Sequence, residues 1–230
     1  MTATPPLDLA DTGEAADLTA FLARLLRFDR AAVVRLQAVP AVEGGGVLAA
    51  FGRLPLGSSG VLAIRTARLA GIERALDATV SAGQLLEAVD EPAGTVAVPP
   101  PVTGPAWAGL LPPRTGWQPV AEPAADRVFP ELMAGVREFK RRTEEVPEHH
   151  RTRQVVDAIA DEIWSRPLEV VPDLPLRAAH AAYAIGFLRP AGRLTVHRAG
   201  GWLRLSAAAG SVVLRTTDAP GAGLGLSPLR

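Results

Sequence analysis

The sequence predicts an α+β protein, and three observations carry that prediction. The first lies near the C-terminus, where RLTVH, WLRLS and SVVLRT alternate strictly, so that Leu194, Val196, Leu203, Leu205, Val212 and Leu214 fall on one face. The second is a series of β-like runs at 31–39, 47–54 and 61–69, broken by the glycine-rich stretches VEGGG and PLGSSG. The third is a helical period between the two strand sets. Val128, Phe129, Leu132, Met133, Val136 and Phe139 line one face of a run over 127–145.

Taken in order, residues 1–16 are acidic and proline-bearing and predict disorder. Asp17 then caps a helix over 18–28, with Leu18, Phe21, Leu22 and Leu25 at helical spacing. The antiparallel meander of 31–69 follows, then a short strand at 76–80, then a helix capped by Ser81 that ends near Val89. This α+β half spans 17–90.

Residues 91–123 hold nine prolines. Proline fixes φ and removes a donor, so regular helix and central strand are excluded there. A flexible linker would be rich in Gly and Ser, whereas this segment carries Trp107, Leu110, Leu111, Trp117 and Val120. The favoured reading is a strap laid across the body with both tryptophans as anchors. Large apolar groups stabilise by burial, and proline lowers the entropy cost of ordering the chain.

The second half spans 124–216. Glu138–Arg142 and Arg141–Glu145 pair at i, i+4 on the outer side of the 127–145 helix, and Pro147 stops it. A second helix is expected over 149–165, stopped by Pro167, and a third, alanine-rich one over 174–185, capped by Asp173. The C-terminal three-stranded meander completes the fold. The tail 217–230 reads as loose, which includes GAGLGL, since no helix follows it to bind a pyrophosphate.

Composition excludes several chemistries. Cysteine is absent, so disulfides, thiolate metal sites and cysteine nucleophiles fall away. Of the 24 basic residues only Lys140 is lysine, and it follows no glycine-rich loop and sits among arginines. P-loop and Schiff-base chemistry therefore have no candidate. Net charge is zero, which removes a global attraction for nucleic acid or anionic lipid. No apolar run reaches the ~18 residues of a membrane span, and the N-terminus lacks the parts of a signal peptide, so a cytoplasmic protein with no membrane partner is expected.

Three constellations remain. Trp107, Arg114 and Trp117 in the strap could rim a ligand pocket. Arg193, His197, Trp202, Arg204 and Arg215 share the outward parity of the last meander and could form a basic, aromatic face for an anionic ligand. His150, Asp157 and Asp161 fall on one helical stripe and could touch a divalent metal, although HExxH is absent and no metal is assigned. Helix, helix, helix, hairpin is the order of a winged helix. However, PLEVVPDL is too long for the turn, and LRAAHAAYAIGF is too apolar to read DNA, so nucleic acid is disfavoured.

The runs LLPPRTGWQPV, DEIWSRPL, LPLRAAHAAYAIGFL and GGWLRLS resemble a set of uncharacterised actinobacterial proteins of similar length, over about residues 100–215. That resemblance implies no activity, cofactor or catalytic residue. The leading functional expectation is a non-catalytic interaction or regulatory protein with a protein partner or a second copy of itself. The alternatives are a small-molecule-binding enzyme with a cleft between the halves, and a nucleic-acid binder using the C-terminal sheet face.

Overall fold

A computed structural model describes residues 6–41, 44–57 and 60–216. The GAGLGL run and the rest of the tail from 217 lie outside the described residues. The N-terminal half contains β1 (Leu7–Leu9), α1 (Thr12–Phe28), β2 (Val33–Pro40), β3 (Gly46–Leu54), β4 (Val61–Gly71), β5 (Leu76–Ser81) and α2 (Ala82–Glu87). After α2 comes β6 (Val89–Asp90), and the proline-rich segment then contributes β7 (Thr95–Val96), a 3₁₀ turn at Ala106–Gly109 and β8 (Gln118–Ala121). Then come α3 (Ala125–Glu145), a 3₁₀ turn at Glu148–His150, α4 (Arg153–Trp164), β9 (Pro167–Leu168), β10 (Val171–Pro175), α5 (Leu176–Ala184), β11 (Thr195–Ala199), β12 (Trp202–Ala207) and β13 (Gly210–Arg215).

The disorder expected over 1–16 is not found from Leu7 on, where β1 pairs with β4 and β7, and residues 1–5 of that stretch lie outside the described residues. The helix begins five residues before Asp17, and its cap is Asp11, whose Oδ1 accepts from the Glu14 amide at 3.0 Å. Ser81 caps α2 as expected, accepting from the Gln84 amide. Asp173 does not cap α5. It lies in β10 and pairs with Arg198 at 3.3 Å, while PLEVVPDL folds into the small β9–β10 hairpin.

The main sheet runs β5-β2-β3-β4-β13-β12-β11-β8, with β1, β6 and β7 attached beyond β4. Its central joint is between the two halves, where Leu62, Ala63 and Ile64 of β4 pair antiparallel with Val213, Val212 and Ser211 of β13. Around that joint the six central strands read the same from either side: first, second and third strand of one meander, then third, second and first of the other. Each meander follows a helix that packs on its third strand, α1 on β4 and α5 on β13. The topology is that of two helix–meander units related by a two-fold axis through the sheet.

The residues that alternation assigns to the inner face are buried. Leu194, Val196, Leu203, Leu205, Val212 and Leu214 join Leu36, Leu48 and Val80 in one core with Phe21, Leu22, Leu132 and Ile163 from the helices. Phe21 of α1 stacks on Phe187 just beyond α5, with centroids 5.9 Å apart, so the halves also meet beneath the sheet. Arg65 of β4 ties them again. It donates to the Ala209 carbonyl at 2.8 Å and bridges to Asp17 at 2.6 Å.

Candidate functional site

An antiparallel sheet with helices on one side leaves its other face to water unless something covers it. Phe51, Leu62 and Val213 have the outward parity, yet they are only 8%, 6% and 0% exposed, and none belongs to the core under the helices. The strap covers them. Its Val102 amide donates to the Thr79 carbonyl of β5 at 2.8 Å. Its Ala108 carbonyl accepts from Arg35 Nη1 of β2 at 2.8 Å. Its Trp117 ring lies 4.4 Å beneath the guanidinium of Arg204 on β12. From β2 to β12 is four strand spacings, about 19 Å, a distance the chain from Ala108 to Trp117 readily spans. The strap then becomes the far edge of the sheet, as β8 pairs with β11.

The strap therefore separates the residues that the sequence groups together. Trp107 stands beside Ala108 over β2, Trp117 sits over β12, and Arg114 is exposed between them. Both tryptophans are half-buried. The Trp117 indole N–H is satisfied within the strap, donating to the Pro113 carbonyl at 2.9 Å across a turn closed by Gly116 at φ 80°. The charge of Arg114 is felt at Asp77. The hydrogen bond from Arg35 is the main force holding the Asp77 carboxyl below its usual range, Gln37 assists, and Arg114 adds least.

The C-terminal end of this face holds the second group. His197 and Arg204 are direct cross-strand partners, and Trp202 is opposite Arg215. Such opposed side chains have their Cβ atoms about 5 Å apart. Arg215 lies 5.6 Å from the centroid of Trp202, so both tryptophans on this patch carry a guanidinium on one ring face. Arg204 is half-buried, and burial lowers its pKa below the usual guanidinium value. Its Nε and the Nδ1 of His197 are buried without a hydrogen-bond partner among the described residues. Arg193 does not join them. It is exposed, in the turn before β11, where it bridges Ala124 through its backbone.

His150, Asp157 and Asp161 are not one stripe, because the expected helix over 149–165 is broken. Thr152 caps α4, and His150 belongs to the preceding 3₁₀ turn, its ring tilted 51° against that of His149 at a centroid distance of 4.1 Å. Asp157 pairs with Arg153 and Asp161 with Arg177. Among the described residues no three His, Asp or Glu side chains stand close enough to share a metal.

Sequence reasoning overlooked a cleft of about 460 Å³ beneath the near end of the strap. Val33 and Arg53 form its floor, Asp29 and Pro55 one side, and Thr103, Pro105 and Trp107 the other. The outward parity of Arg53 on β3 was legible. Its meeting with a strap some fifty residues later was not.

Fold and site together define an α+β protein built on one large antiparallel sheet, with one face under helices and the other under a proline-rich strap. Residues 2–109 match the model of a domain of unknown function, DUF8010, and residues 112–219 match that of a second, DUF8185. The two matches meet inside the strap, between Trp107 and Trp117. No curated protein and no solved structure matches the chain. No helix among the described residues is long and apolar enough to cross a membrane.

Proposed function

We propose that the chain is a cytoplasmic, non-catalytic interaction protein that holds an acidic stretch of a partner protein on the Trp117–Arg204 patch. One observation carries this reading: Arg204 is half-buried, stacked on Trp117, and pairs with no carboxylate among the described residues. Arg65, by contrast, is paired with Glu14 and Asp17, and Arg177 with Asp161. A guanidinium stripped of part of its water and left without an anion stands ready for one from outside. His197 beside it and Arg215 on Trp202 extend the donor surface.

The same geometry disfavours nucleic acid. Single-stranded bases bind by stacking on open aromatic faces, and here each tryptophan has a face taken by arginine. The guanidinium edges remain, and a carboxylate accepts from them bidentately. The test is fluorescence anisotropy with a labelled oligoglutamate peptide and a labelled single-stranded oligoribonucleotide. The peptide should bind, more weakly as salt is raised, and Arg204→Gln should weaken it by about tenfold, the equivalent of one charge-assisted hydrogen bond. Tighter binding of the RNA, or an unchanged peptide affinity in Arg204→Gln, would end this reading.

A further inference from the structure

We infer that the cleft under the near end of the strap is a site for a small zwitterion with a flat apolar body, of the aromatic amino-acid type. The site lies four strands from the Trp117–Arg204 patch and does not depend on it. Its wall is fixed on both sides. Val102 is bonded to Thr79 on one flank of the 103–107 segment, and Ala108 is bonded to Arg35 on the other. Between these two anchors Gly104 packs so closely that a Cβ there would stand 3.1 Å from Thr79 Cγ2 and 3.2 Å from Ala108 Cβ. The segment therefore stands off the sheet in one shape, and the space beneath it is built into the fold. At about 460 Å³ it falls within the range of small-molecule sites.

Three side chains give the cleft its chemistry. Arg53 rises from the floor and makes no ion pair among the described residues. Its guanidinium is pressed against Gly60, whose φ of 70° and missing side chain permit that approach. Asp29 stands at the side. Its Oδ1 accepts from the Ala31 amide at 2.8 Å, which orients the carboxylate. Trp107 is half-buried and lines the opposite wall. Arg53 and Asp29 thus share one cleft without pairing with each other. Unpaired opposite charges in a common cleft complement a ligand that carries both charges itself. Carboxylate on Arg53, ammonium on Asp29 and a planar side chain against Trp107 satisfy all three groups at once.

The experiment is isothermal titration of the full chain with L-phenylalanine, 3-phenylpropanoate and phenethylamine, which carry both charges, only the carboxylate, and only the ammonium. L-Phenylalanine should bind saturably, and each singly charged analogue at least about tenfold more weakly. Arg53→Gln should lose phenylalanine affinity by a similar factor, with its melting temperature reported alongside. Should that variant fail to fold, the three-ligand comparison on the unaltered chain decides alone. No saturation by phenylalanine up to roughly 10 mM, or equal affinity for all three compounds, overturns the proposal.

Discussion

His180 of α5 lies flat on Trp164, with ring centroids 4.0 Å apart and planes within 11°. Its Nδ1 is buried with no partner among the described residues, and burial lowers its pKa to about 4. Between about pH 6.5 and 4 the unfolded chain therefore takes up a proton that the native chain refuses, and stability falls as pH falls through that window. The loss reaches at most roughly 3 kcal/mol. Glu162, which the hydrogen bond from Arg142 holds near a pKa of about 2, acts in a lower window, below the ordinary glutamate value of 4.5. Replacing the imidazole by a ring that cannot ionise separates the two. His180→Phe should flatten the dependence of urea midpoint on pH between about 6.5 and 4.5 while leaving the steeper fall below it. An unaltered slope in that interval would mean that His180 is hydrated in the native state.

At the scale of elements, one contact between helix and sheet passes through a glycine. A Cβ on Gly52 of β3 would stand 2.6 Å from Leu25 Cδ2 and 3.3 Å from Phe21 Cζ, so α1 lies directly on the bare backbone there. Gly52→Ala should destabilise by about 1–3 kcal/mol through overpacking, read as a lower urea midpoint at constant slope. Trimming the clash with Leu25→Ala in the same chain should recover part of the loss beyond additivity. If Gly52→Ala is neutral, α1 can shift and the packing is softer than drawn. The elements that sequence reasoning located were those with a complete local period. The C-terminal meander alternated cleanly, and Ser81 and the helix of 127–145 stood within a residue or two of their places. What it missed had weak or distant signals. The first turn of α1 contains no large apolar residue before Leu18, so Asp17 looked like the cap, although Asp11 followed three positions later by Glu14 is itself a capping pattern. Thr152 caps α4 and so ends the single helix that would align His150 with Asp161. Val213 is apolar at an outward position, a mark of a covered face. Only the fold shows that the cover is the strap, and that Arg204 meets a tryptophan more than eighty residues earlier.

The whole molecule raises the question of what holds its halves together, since a two-fold topology with its joint at β4 and β13 is also the topology of a dimer. Connections that cross the joint include the pairing of Leu62–Ile64 with Ser211–Val213, the stack of Phe21 on Phe187, and Arg65 reaching both the Ala209 carbonyl and α1. The strap adds another on the opposite face, because it is anchored to β2 on one side and β12 on the other. Cutting it between Leu111 and Pro112 leaves an anchor on each fragment and removes only the covalent tether. Fragments 1–111 and 112–230, produced together, should associate one to one and regain the circular dichroism of the intact chain. Produced singly, each would expose an unpaired central strand and a severed core, and should aggregate or remain partly folded. Association should weaken on dilution, since the tether's contribution is an effective concentration rather than a contact. A fragment 1–111 that is monomeric and unfolds cooperatively by itself would show instead that each half carries a sufficient core, and that the β4–β13 joint is a docking of two independent domains.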